Sequence, residues 1–126
     1  MFKPLSSRIN LLSSRGLKSK IYKSADDAVS DIKDGASIAF GGYGYVGVPE
    51  NLIDALWKRG IKDITAVSNN PGLEDYGIGK MIHRDLVKKI TLSNAWHNHE
   101  FTEKVLNGLI EVEFVPQGTL AERMRA

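Results

Sequence analysis

The chain has 126 residues, 42% hydrophobic and 25% charged, which suits one small domain or part of a larger one. It contains no cysteine, so disulfides, zinc-thiolate sites and thiol nucleophiles are excluded. The net charge of +2 comes from residues 1–24, which hold six basic side chains and no acid; the remainder holds 11 basic and 15 acidic ones. A mildly acidic folded part argues against nucleic acid as its partner.

Residues 1–16 are rich in Ser, Arg and Leu and can place Leu5, Ile9 and Leu12 on one face, with Arg8 and Arg15 elsewhere. That is the composition of a mitochondrial transit peptide, and a secretory signal would need an uninterrupted apolar run. A basic extension without a targeting role is the alternative. Residues 1–19 are therefore set apart from a folded unit at 20–126, with the mature start between Arg15 and Lys20. No stretch approaches about 18 apolar residues, so no membrane span is expected.

From Lys20 onward the pattern alternates short strands and helices. Ile21 and Tyr22 suggest an edge strand. Ser24 followed by Asp26 and Asp27 reads as a capped helix start, with Ala28, Val29 and Ile32 on its buried face and Asp34-Gly35 at its end. Residues 36–40 form the first central strand. A loop containing Gly41, Gly42, Gly44 and Gly47 follows, and Pro49 opens a helix in which Leu52, Ile53, Leu56 and Trp57 recur at helical spacing; Gly60 closes it. Trp57 is expected in the core.

Residues 64–67 form a second strand, ending in Ser68-Asn69-Asn70-Pro71-Gly72. Two adjacent amides can donate to a carboxylate or carbonyl, and the same residues are ordinary turn chemistry. Residues 78–83 are expected as a helix, 87–92 as a strand, the region of Phe101, Val105 and Leu106 as a helix ending at Asn107-Gly108, and 110–115 as a fourth strand. Pro116-Gln117-Gly118-Thr119 leads into a last helix at Leu120. The alternation implies an α/β fold with a parallel sheet. Cover on both sheet faces looks thin for this length, and an exposed apolar sheet surface is expected.

The glycine loop has two readings. It follows a strand and faces a helix start, which is where open α/β sheets bind ligands; it also suffices as a tight turn without a ligand. Gly42-x-Gly44-x-x-Gly47 satisfies the dinucleotide fingerprint, with Asp63 as the later acid. However, Asp63 precedes the second strand, whose end carries Asn69 and Asn70, and the helix is delayed past Gly47.

Three blocks carry a resemblance: Gly41-Gly42-Tyr43-Gly44 with Gly47-Val48-Pro49-Glu50-Asn51-Leu52-Ile53, then Thr65-Ala66-Val67-Ser68-Asn69-Asn70, then Pro116-Gln117-Gly118-Thr119-Leu120-Ala121-Glu122-Arg123. Together they resemble the amino-terminal part of the succinyl-CoA:3-ketoacid CoA transferase family, in its order and spacing, over nearly all of residues 20–126. The resemblance implies a CoA-transferase-type α/β domain of the kind found in the family's A-type subunit, incomplete at its C-terminus. It also implies transfer of CoA from succinyl-CoA to a 3-oxoacid such as acetoacetate, in ketone body use. CoA thioester is then a substrate, with no metal or redox cofactor. The implied location is the mitochondrial matrix, and the implied partners are a further domain or a B-type subunit within a homodimeric enzyme. Gly42, Gly44 and Gly47, the amides Asn69 and Asn70, and Gln117 with Gly118 would line the acyl side, Gly118 letting backbone approach a ligand. Gln117 as a mere turn residue is the competing reading.

The family's catalytic glutamate lies in a Ser-Glu-Asn-Gly context that does not occur here. Glu50 reads instead as a first-turn acid, and Glu100, Glu103 and Glu122 as solvated helix positions. The chain alone is thus expected to be inactive, and a non-catalytic short product or assembly module is the alternative. A departure from the family is Ala95-Trp96-His97-Asn98-His99 in place of a Val-Gly-Glu-Asn loop. His97 and His99 are two ligands without a third, which make no metal site. His83 is expected at a helix end.

Overall fold

A computed structural model describes residues 21–126. The transit-peptide reading and the boundary between residues 19 and 20 lie outside the described residues. The element order is α1 (Ala25–Ala28), β1 (Ser37–Ala39), α2 (Glu50–Arg59), β2 (Ile64–Val67), α3 (Gly79–His83), β3 (Val87–Leu92), α4 (His99–Leu106), β4 (Glu111–Phe114) and α5 (Gln117–Arg125). The strands form one parallel sheet in the order β1-β2-β3-β4. The expected α/β class and parallel sheet are therefore present. Among the described residues no helix is long and apolar enough to cross a membrane.

The sheet grows by one strand at a time in a single direction. Crossovers between parallel strands share one hand, so α2, α3 and α4 all fall on the same face. The register shows which face that is. Ile38, Ala66, Ile90 and Val112 lie side by side across the four strands, and Ala66 and Ile90 are wholly buried beneath the helices. The neighbouring rows point the other way: Ser37, Thr65, Lys89 and Glu111, then Ala39, Val67, Thr91 and Glu113. This second face is mostly polar, with Lys89 paired to Glu111 at 2.5 Å. The expectation of an apolar uncovered face is corrected accordingly, because alternation along the strands sends the aliphatic residues to the helical side.

Helix α5 lies against the polar face. Arg123 pairs with Glu113 at 2.6 Å, and Val115 and Leu120 are buried outside the main core. The helix opens at Gln117 rather than at Leu120, since the extended Pro116 (φ −52°, ψ 140°) sets its start and the Leu120 N–H donates to the Pro116 carbonyl.

Local chemistry explains the other departures. Ile21 and Tyr22 are exposed and belong to no strand. The Ser24 hydroxyl caps α1 by accepting from the Asp27 N–H at 3.1 Å, but the helix ends at Ala28 rather than at Asp34-Gly35. There the Ser30 hydroxyl donates to the Asp27 carbonyl and turns the chain. Helix α2 buries Ile53, Ala55 and Leu56 and stops at Gly60 in the left-handed region (φ 63°). Trp57 lies outside the core: 37% of it is exposed, and the Arg84 guanidinium sits 4.7 Å above its ring. Leu106 is also on the surface, at 81% exposure, because α4 turns Phe101 inward instead.

Ion pairs tie α3 to α4. His83, the last residue of α3 as expected, meets Glu100 at 2.9 Å, and Lys104 reaches Glu100 at 3.0 Å and Asp85 at 2.7 Å. Glu100 is therefore a paired residue, not a solvated one. The hydrogen bond from His83 holds its carboxyl below the usual 4.5, against the opposing effect of burial and with help from Lys104.

Two outcomes are expected. Ile90→Ala removes a fully buried side chain from β3 and should cost about 2–4 kcal/mol in denaturant unfolding, whereas Leu106→Ala should change stability by under about 0.5 kcal/mol. A depressed folded pKa contributes stability above the unfolded pKa, and that contribution is lost as pH falls through the folded value. Glu100→Gln should thus be less stable than the parent at about pH 6, and the gap should close on acidification to about pH 3. A gap of constant size in the denaturation midpoints would show that the carboxylate charge plays no part.

Candidate functional site at the carboxyl ends of the strands

All four strands point their carboxyl ends at one rim, where the loops after β1, β2 and β3 and the start of α5 converge. Strands β2 and β3 place Asn69 and Ser93 there as they leave the sheet.

The Asn69 side chain is the junction. Its Oδ1 accepts from the Gly44 N–H at 3.1 Å and from Asn70 Nδ2 at 3.2 Å. Its Nδ2 donates to Ser93 Oγ at 2.9 Å and to Gln117 Oε1 at 2.8 Å. Asn70 completes the frame by donating to the Gly44 carbonyl at 3.0 Å and accepting from the Gly72 N–H at 2.9 Å. Both asparagines thus spend their donor hydrogens inside the protein. Gly44, Asn69, Asn70 and Gln117 are brought into one network, and the asparagines shape it.

Gln117 differs. Its Oε1 is held by Asn69, and its exposed side chain leaves Nε2 without a protein partner among the described residues. It is also the first residue of α5, whose leading N–H groups have no intrahelical acceptors and carry the positive end of the helix dipole. Gly118 follows on the same turn with open space beside it, but its φ is not positive, so it is not required there for backbone shape.

The glycine loop is a miniature hairpin. Tyr43 and Val46 bridge in antiparallel fashion between Gly42 (φ 118°) and Gly47 (φ 72°), and a Cβ on Gly42 would lie 2.8 Å from Val48 Cγ2. Gly47 sits at the base of this hairpin, away from the Asn69 network. A second loop repeats the arrangement after β2, where Leu73 and Tyr76 bridge between Gly72 and Gly77, both at positive φ. The two hairpins interlock: the Tyr76 hydroxyl donates to the Tyr45 carbonyl at 3.0 Å, and Glu50 Oε1 accepts from the Gly77 N–H at 2.6 Å. Glu50 also pairs with Lys80 at 2.6 Å, and Lys80 with Asp54 at 2.7 Å. Those bonds, from Asp54 first and then Glu50, hold the Lys80 ammonium above its ordinary value. Glu50 is a first-turn acid as expected, and it also braces the second loop. Sequence reasoning did not single out this loop, although Gly72-x4-Gly77 repeats the spacing of Gly42-x4-Gly47.

The loop after β3 is bolted at both ends. The N–H groups of Ser93 and Asn94 donate to the Asn69 carbonyl at 3.0 and 3.2 Å. Asn98, 3% exposed, caps α4 through Phe101 and donates to the carbonyls of Pro71 and Gly72. Between these anchors Trp96 and His97 project outward. Together with Tyr43, Gly44, Tyr45, Asn69, Asn70 and Asn94 they line a depression of about 240 Å³. The rim also separates this chain from dinucleotide binders, because Asp63 lies at the opposite, amino end of β2, in a left-handed turn.

Residues 22–126 match the coenzyme A transferase family. The chain belongs to that family. It is 47% identical over 107 residues to the A-type subunit of succinyl-CoA:3-ketoacid coenzyme A transferase from Helicobacter pylori strain J99, covering 85% of this chain and 46% of that protein. It is 44% identical over 110 residues to the human mitochondrial succinyl-CoA:3-ketoacid coenzyme A transferase 2, covering 87% and 21%. Among solved structures, an acyl-CoA transferase from Escherichia coli O157:H7 in a thioester complex with CoA superposes with a TM-score of 0.71 at 26% identity, covering 82% and 22%. The chain spans less than half the length of these relatives. For this family member the Asn69 junction makes a direct prediction. Asn69→Ala should raise the hydrogen-exchange rate of the Gly44 amide about tenfold, the worth of one ordinary hydrogen bond; an unchanged rate would show that the loop holds its shape without Asn69.

Proposed function

We propose that this chain supplies the acyl-binding side of a CoA transfer from succinyl-CoA to a 3-oxoacid such as acetoacetate, acting as part of a longer enzyme. The observation that carries the reading is Gln117: its amide is oriented by Asn69, free at Nε2, and set on the first turn of α5 at the carboxyl rim of the sheet. Such a group, with the helix N–H donors beside it, suits a carboxylate or the oxyanion that develops on an attacked carbonyl.

In the proposed reaction a glutamate carboxylate from outside this chain attacks the succinyl thioester carbonyl. The oxyanion collapses, CoA leaves as thiolate, and a succinyl–glutamyl anhydride remains. The thiolate then attacks the glutamyl carbonyl, releasing succinate and leaving an enzyme–CoA thioester, and the 3-oxoacid carboxylate repeats the two steps in reverse. Every step is acyl transfer without change of oxidation state, so the CoA thioester is a substrate and no metal or redox cofactor is required. Gly42, Gly44, Gly47, Asn69, Asn70 and Gly118 shape the pocket in which Gln117 works. The names of the relatives support a second polypeptide or further domain as partner, within a homodimer of the full enzyme. The human and rat relatives, both named mitochondrial, support the mitochondrial matrix as location and ketone body use as context.

The isolated 126-residue chain is expected to transfer no CoA between succinyl-CoA and acetoacetate, and turnover by it would overturn the external nucleophile. Reassembled with the part that carries the nucleophile, Gln117→Ala should lower kcat about 100-fold with little change in KM, the pattern of a donor used in the transition state. A kcat within twofold of the parent would remove Gln117 from the chemistry.

A further inference from the structure

The rim of the same depression carries three exposed aromatic side chains: Trp96 at 76%, Tyr43 at 70% and Tyr45 at 46% exposure. Isolated apolar residues on a surface are ordinary, but three rings around one depression form a patch that calls for an occupant. The loop that presents Trp96 is no loose tether, since Asn69 fixes its start and Asn98 its end. His97, held in a left-handed conformation (φ 64°), sets its ring edge-on to the indole at 6.4 Å between centroids and 83° between planes. The indole is therefore presented toward water by design of the backbone, with little freedom to lose when something covers it.

Below the rim the surface is polar. Asn69, Asn70 and Asn94 line it, and Gln117 is joined to it through Asn69. A polar floor beneath an aromatic rim matches a ligand with oxygens at one end and an apolar tail at the other. We infer that Trp96 is a specificity-determining residue, turning the chain toward 3-oxoacids whose substituent beyond the keto carbonyl is larger than a methyl group. This rests on the acyl-side reading of the depression. A short acid reaches only the floor and leaves the rings in water. A longer tail covers them, and one or two extra methylenes in such a contact discriminate by about tenfold.

The test uses the intact 126-residue chain, which contains two tryptophans. Trp57→Phe leaves Trp96 as the only indole reporter. Acetoacetate, 3-oxohexanoate and free CoA are titrated separately, with fluorescence on this variant and calorimetry on the parent and on Trp96→Gly. The expected result is a shift of Trp96 emission to shorter wavelength with 3-oxohexanoate, a Kd about tenfold below that of acetoacetate, and Kd values within about twofold of each other in Trp96→Gly. Equal affinity of the parent for the two acids overturns this inference and leaves the acyl-side reading intact. Binding of neither acid overturns both. A response to CoA alone assigns the rim to the nucleotide portion, and a blue shift that depends only on protein concentration assigns it to contact between copies; either overturns the inference. The fluorescence arm keeps Trp96 in place, so a failure of Trp96→Gly to fold does not remove the test.

Discussion

The site depends on one amide. Asn69 joins the loop after β1 through Gly44, the loop after β3 through Ser93, and helix α5 through Gln117, using both acceptor positions and both donors of its side chain. A buried polar group of this kind is stabilising only when every valence is met, and here all are. No carboxylate or hydroxyl could replace it, because the position must accept from a backbone N–H on one side while donating two hydrogens on the other. The consequence is a rim whose shape is set before any ligand arrives, which is what transition-state binding requires.

The sheet places that junction by simple means. One hand of crossover and one direction of growth put α2, α3 and α4 on one face, so the aliphatic row through Ala66 and Ile90 is sealed while the row through Thr65 and Lys89 stays polar. Helix α5 then takes the other face, and this change of side brings Gln117 over the strand ends. Two interlocked glycine hairpins, braced by Glu50 and Tyr76, fill the rim next to β1 and β2.

Much of this was legible in the sequence. The strands at 64–67 and 87–92 were read to the residue, because β-branched runs bounded by turn residues carry a strong local signal. The helix from Glu50 to the Gly60 cap was equally plain. Trp57 and Leu106 were misread because helical spacing marks a face without showing how far the neighbouring element extends over it; both sit at its margin. Asn69 and Asn70 were found as a polar pair, but their partners are 24 to 48 residues away in sequence, and no local pattern says which bonds they make. The loop from Gly72 to Gly77 was missed for a different reason. Its spacing copies the first loop, yet its Leu-Glu-Asp-Tyr interior has the composition of ordinary surface turn.

The strand order has a temporal consequence. Every strand pairs with its successor in the chain, so a polypeptide leaving the ribosome can dock each β–α unit onto the one already formed, with no strand left waiting for a distant mate. The bond between Asn69 and Gln117 spans 48 positions and is made only when α5 has emerged. Scaffold and rim loops can thus be assembled early, while the free amide that the proposed chemistry relies on arrives last, so a chain arrested a few residues sooner would be folded yet blank at its working end.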